Sequence, residues 1–194
     1  MELIKQKLDV FNYADGAENY VSIINKKNFD RVLRLIEPSK VFYGGEHNEN
    51  TLYIQPTILD NITWNDSVMQ EEIFGPVLPV LSYSDFNGML CEITKREKPL
   101  AAYLFTENKQ QKMTFLKTLS FGGGCINDTL MHLTVDSLPF GGVGNSGMGN
   151  YHGDFGFITF SHQKSILDRK NWGEPAFKYP PYSKTKLNWI KRFM

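Results

Sequence analysis

Between residues 77 and 127 the chain runs through one alternation. Val77 to Tyr83 is an apolar run suited to a buried strand. Asp85 can then cap a helix with Phe86, Met89, Leu90 and Ile93 at helical spacing. Leu100 to Phe105 is a second apolar run. Thr106 is the expected cap of another helix, with Glu107 in its first turn and Leu116 and Leu119 near its end. Phe121-Gly-Gly-Gly124 breaks that helix, and Cys125-Ile-Asn127 reads as a third strand. No hairpin signal separates these strands. Strands joined by helical crossovers run parallel, so the pattern predicts an α/β fold with a mainly parallel sheet flanked by helices. Functional residues in such sheets collect at the carboxyl ends of strands.

The preceding segment supplies two more helices. Residues 2–12 place Leu3, Ile4, Leu8 and Phe11 at near-helical spacing. Asn25 is a candidate N-cap for a helix with Phe29, Val32, Leu33 and Ile36 at i, i+3, i+4 and i+7, stopped by Pro38. Val41-Phe-Tyr43, Leu52-Tyr-Ile54 and Thr57-Ile-Leu59 read as extended, with Glu46 to Thr51 a polar loop between the first two. Beyond the third sheet strand, Phe155 to Phe160 alternates like a strand.

Leu138 to Gly149 concentrates five of the chain's sixteen glycines. Ordering glycine costs more backbone entropy than ordering any other residue. Such a run is therefore expected where φ must be positive or a ligand comes close. It contains the string Gly142-Val-Gly144-Asn-Ser-Gly147, but a dinucleotide fingerprint must end a strand and open a helix. Pro139 denies the strand, and Asn150 to Gly153 shows no helical pattern. A nucleophile elbow at Gly144-Asn-Ser146 misses its final glycine by one position. His132 and Asp136 lie close enough in sequence to suggest triad partners for Ser137 or Ser146, an arrangement common by accident.

The chain carries 21 basic and 21 acidic residues, so no net positive field points to nucleic acid. Cys91 and Cys125 form neither a CxxC pair nor a disulfide framework, a usage that suits a reducing cytosol. The N-terminus lacks the apolar core of a signal peptide, and no run approaches the ~20 apolar residues that span a bilayer. A cytoplasmic location is the resulting expectation. No histidine shares metal-ligand spacing with a cysteine, so no metal is expected. Cys125 reads as a small buried side chain, because no adjacent His or Lys is placed to lower its pKa. Glu72 and Phe74 stand two apart before Gly75-Pro76. On an extended segment they would share a face, which suits a sugar hydroxyl pair beside a flat heterocycle. The C-terminal Lys184 to Met194 mixes four basic residues with Leu187, Trp189, Ile190 and Phe193. That mixture fits a strap covering a partner, or contact with an anionic membrane surface.

Met69-Gln-Glu-Glu-Ile-Phe-Gly-Pro76 resembles the Glu-x-Phe-Gly-Pro motif of the aldehyde dehydrogenase superfamily. Leu138 to Gly149, followed by Tyr151-His-Gly153, Phe160-Ser-His162 and the Tyr179-Pro-Pro-Tyr182 tail, is similar to its class 3 or fatty-aldehyde branch. The resemblance implies a catalytic-domain lobe over residues 1–167 and an extended tail over 168–194. It implies that Glu72 holds the nicotinamide ribose hydroxyls and that Phe74 packs on the nicotinamide side of NAD or NADP. It further implies that Phe140 lines the aldehyde pocket, that Asn127 structures the strand end behind it, and that Tyr151 and His152 lie near the substrate entrance.

The family's nucleophilic cysteine motif, its general-base glutamate motif and its cofactor-binding domain have no counterpart in these 194 residues. The chain resembles roughly the last two-fifths of a member, and Cys125 falls at a strand position that does not replace the nucleophile. The expectations are an isolated chain without dehydrogenase activity or tight cofactor binding, and a partner that is a missing N-terminal part or a second copy. Two alternatives stand beside this: a non-catalytic oligomerisation or partner-binding module, and an independent thiol or serine enzyme using Cys125 or Ser146.

Overall fold

The computed structural model describes residues 1–193, which form two compact units, Met1–Glu92 and Ile93–Met194. In the first unit α1 (Glu2–Phe11) and α2 (Lys26–Leu35) follow the apolar spacing. The α2 start is fixed by Asn25, which sits in extended conformation while its side chain accepts the Asn28 N–H at 2.9 Å. One otherwise unpaired N-terminal donor of the helix is thereby satisfied. Phe29, Val32 and Leu35 are buried from this helix, and they pack with Ile54, Leu59, Ile62, Val68 and Val77 as the unit's core.

The strands of this unit are short. β1 (Val41–Tyr43) runs antiparallel to β4 (Thr57–Leu59), and β4 runs parallel to β5 (Val77–Pro79) in the register Thr57↔Val77, Ile58↔Leu78. Within the expected polar loop, β2 (His47–Asn48) pairs with β3 (Tyr53–Ile54) as a small antiparallel ladder. Gly44 has φ +81°, and a Cβ there would collide with the Pro56 carbonyl, so only glycine lets these backbones meet. The expected strand through Tyr83 stops at Pro79, just after which the Val80 N–H bonds Leu59 O at 3.0 Å. α3 (Phe86–Thr94) closes the segment, with Leu90 buried.

In the second unit β6 (Ala101–Leu104) and β7 (Gly123–Ile126) pair in parallel, joined by α4 (Lys109–Thr118). The expected cap of α4 is corrected. Asn108 caps it, accepting the Gln110 and Gln111 N–H groups at 2.8 and 3.2 Å, and Glu107 lies ahead of the first turn. Thr106 instead accepts the Asn108 N–H, so it builds the turn before the cap. The residue α4 buries is Phe115, while Leu116 is exposed.

The expected strand at Phe155 to Phe160 is a helix, α5 (Gly153–Thr159). Six residues of aromatic alternation also fit a helix of under two turns. Local bonds decide the matter: Phe155 N–H to His152 O at 3.1 Å, and Thr159 Oγ1 to Asn150 O at 2.6 Å. The tail, expected to be extended, is corrected in its last part, where it carries the helix α6 (Lys184–Phe193). The α/β class thus holds, with two parallel and two antiparallel strand pairings. Among the described residues no helix is long and apolar enough to cross a membrane.

Candidate functional site

In the first unit, the segment from Gln70 to Pro76 has no regular structure and would be loose on its own. Arg31 of α2 holds it. Its guanidinium pairs with the Glu71 carboxylate at 3.1 Å and donates to the carbonyls of Glu72 and Ile73 at 3.2 and 2.7 Å. A planar fork with several donors suits this three-point grip better than an ammonium does. Because Arg31 engages Glu71, the Glu72 carboxylate is left with no protein partner among the described residues. Phe74 takes φ +44°, not the extended geometry expected of it, and its ring is 77% exposed. Glu72 and Phe74 nevertheless line one open groove of about 600 Å³ with Ser22, Ile23, Ile24, Asn28 and Arg31. A contact forty residues apart in sequence gave no signal for Arg31.

In the second unit, Asn127 ends β7 at φ +59° and clamps the neighbouring strand end. Its side-chain oxygen accepts the Thr106 N–H at 2.7 Å, and its amide donates to Thr106 O at 3.0 Å. Phe140 and Tyr151 exchange backbone hydrogen bonds at 3.0 and 2.9 Å across an isolated antiparallel bridge. Their rings meet edge to face at 5.4 Å, and the His152 ring lies 6.1 Å from Phe140 and 4.5 Å from Tyr151. His152 Nδ1 sits 3.3 Å from Leu138 O. The three residues therefore form one aromatic cluster at the neck of the glycine loop.

The loop itself closes backbone on backbone. A Cβ at Gly141 would strike the Gly149 carbonyl, and one at Gly142 the Ser146 carbonyl. Those glycines serve the loop's own closure. The string from Gly142 to Gly147 forms a single 3₁₀ turn (Gly144–Ser146), with neither the strand nor the helix a dinucleotide fingerprint needs. Ser146 Oγ accepts the Val143 N–H at 2.9 Å and donates to Val143 O at 3.1 Å, which makes it a turn cap and no nucleophile. Among the described residues His132 makes no hydrogen bond to a serine. Its Nδ1 lies 3.6 Å from Cys125 Sγ. The expectation that no histidine stands beside this thiol is therefore corrected, because a 3₁₀ turn (Met131–Thr134) folds the ring back onto β7. Among the described residues no group of three or more His, Cys, Asp or Glu is placed to hold a metal ion.

The chain belongs to the aldehyde dehydrogenase family, whose pattern it matches over residues 2–166. It is 47% identical over 173 residues to aldehyde dehydrogenase family 3 member H1 of Arabidopsis thaliana, covering 87% of this chain and 36% of that one. It is 48% identical over 181 residues to family 3 member A2 of Rattus norvegicus, covering 92% and 37%. The structure of a substrate-bound AldH from Staphylococcus aureus superposes with a TM-score of 0.82 at 42% identity, over 99% of this chain and 43% of that one. The chain thus spans little more than a third of the length of these curated relatives.

Proposed function

We propose that this chain supplies the nicotinamide-side groove and the aldehyde-side wall of an NAD(P)-dependent aldehyde dehydrogenase, and that it is inactive alone. The observation that carries the reading is the groove in which an unengaged carboxylate and an exposed ring are held together by Arg31. A carboxylate with free lone pairs binds a vicinal diol, and an exposed aromatic face packs on a flat ring. Those are the demands of a nicotinamide riboside, so the residues present fit that group. NAD(P)+ would contribute the hydride acceptor. Glu72 holds the ribose hydroxyls in this reading, and Phe74 covers one side of the heterocycle. Phe140, with Tyr151 and His152 at the entrance, walls the aldehyde, while Asn127 fixes the end of β7 behind it.

The remaining chemistry needs a thiolate nucleophile and a base to activate water for thioester hydrolysis. Neither motif occurs in these 194 residues, and Ser146 is committed to its turn. The test is complementation. The purified chain alone is expected to give no aldehyde-dependent NAD(P)H and no tight NAD(P)+ binding. Mixing it with a fragment that carries the family's cysteine motif and cofactor domain is expected to restore turnover, and Glu72→Gln to raise KM for the cofactor in that mixture. Turnover by the chain alone overturns the reading.

A second reading, a non-catalytic association module, is favoured by the apolar side chains left in solvent, among them Phe160 at 88%, Leu167 at 90% and Trp172 at 76% exposed. Surfaces of that kind drive association. Stable self-association without restored turnover supports the module, and a monodisperse monomer in light scattering counts against it. Both readings assume a reducing cytoplasm, which suits two cysteines that form no disulfide.

A further inference from the structure

Cys125 and His132 form a pair that the dehydrogenase reading leaves unused. The thiol is half-buried on β7, with Sγ 3.6 Å from His132 Nδ1. The imidazole has a built seat. Gly123 lacks the Cβ that would come within 2.9 Å of His132 Cδ2, Tyr103 meets the ring near edge-on at 5.8 Å, and Phe140 lies 6.1 Å away. Nε2 is sealed from water and has no hydrogen-bond partner among the described residues. Among the described residues the sulfur is therefore the ring's one polar partner, and proton exchange at this imidazole runs through Nδ1. A nucleophile within reach of a base, with the base fixed by packing, is the arrangement that activates thiols. The surroundings are apolar: Tyr103 and Phe140 flank the ring, and Leu130 and Met131 are exposed at the turn that carries it.

We propose that Cys125, with His132 as its base, is a modification site for apolar α,β-unsaturated aldehydes. The thiol proton passes to His132 Nδ1 as sulfur attacks the β-carbon. The S–C bond forms, the alkene π pair moves onto the α-carbon as an enolate, and the imidazolium returns the proton there. The product is a thioether with its aldehyde intact, and nothing is oxidised or reduced. The adduct grows beside Phe140, so it crowds the aldehyde-side cluster. No cofactor or second fragment enters this step, so its outcome is independent of complementation.

The experiment treats the full chain with trans-2-nonenal, fixes the product with borohydride and follows both cysteines by peptide mass mapping. Cys125 is expected to react about tenfold faster than Cys91, although Cys91 is the more exposed. His132→Asn is expected to slow Cys125 by about tenfold and leave Cys91 unchanged. If that variant fails to fold, wild type in guanidinium supplies the second reading: unfolding is expected to equalise the two rates. Native wild type in which Cys91 reacts as fast as Cys125 overturns the proposal. So does a folded His132→Asn chain with an undiminished Cys125 rate, or a rate ratio that survives unfolding.

Discussion

Single residues carry much of the local order, and their removal has calculable effects. Asn25→Ala deletes the α2 cap and is expected to lower stability by about 1 kcal/mol, read from the denaturation midpoint. Arg31→Ala frees three acceptors on the Glu71–Ile73 segment. The segment is expected to be cut faster in limited proteolysis while the β4 backbone stays resistant, and Arg31→Lys is expected to restore only part of the resistance. In the tail, the Arg169 guanidinium beside Glu174 pulls that carboxyl from 4.5 down to about 2, with Tyr179 and Lys178 also donating to it. A depressed carboxylate stabilises the fold above its unfolded pKa and loses that contribution as pH falls through its folded pKa. The Arg169–Glu174–Lys178 cluster is therefore expected to hold at neutral pH and come apart between pH 4.5 and 2. Carboxyl NMR should show Glu174 titrating near 2, and a midpoint near 4.5 would show that the cluster does not form in solution.

Elements differ in how far the sequence announced them. α2 was legible because everything that defines it is local: a capping side chain, an apolar face and a terminating proline within fourteen residues. α5 was not, since its aromatic alternation fits either a strand or a short helix, and hydrogen bonds donated to the His152 and Asn150 carbonyls made the choice. The site shows the same division. Glu72, Phe74 and Phe140 stand in motifs with their own composition, whereas Arg31 reaches the Glu72 carbonyl from 41 positions away, a distance that no periodicity links. Cys125 and His132 are seven apart, yet only the turn between them makes them neighbours. The β6–β7 pairing offers a test at this scale. A Cβ at Gly124 would strike the Ala102 carbonyl, so Gly124→Ala is expected to part the strands and cost at least ~2 kcal/mol. A stability change under 0.5 kcal/mol would mean that the strands are not this close.

The molecule as a whole divides its apparatus between its units. The groove lined by Glu72 and Phe74 belongs to Met1–Glu92 and the aromatic cluster to Ile93–Met194. The groove also sets a conflict for the chain as a folding object. Phe74 is held in a left-handed backbone conformation that costs an L-residue about 1–2 kcal/mol, and its exposed ring recovers little of this by burial. Phe74→Gly is therefore expected to raise the melting temperature or leave it unchanged, while Phe74→Ala, which keeps the Cβ, gains less. A lineage selected only for durability would discard this ring. Its presence marks a position where the chain trades toughness for the shape of an empty space.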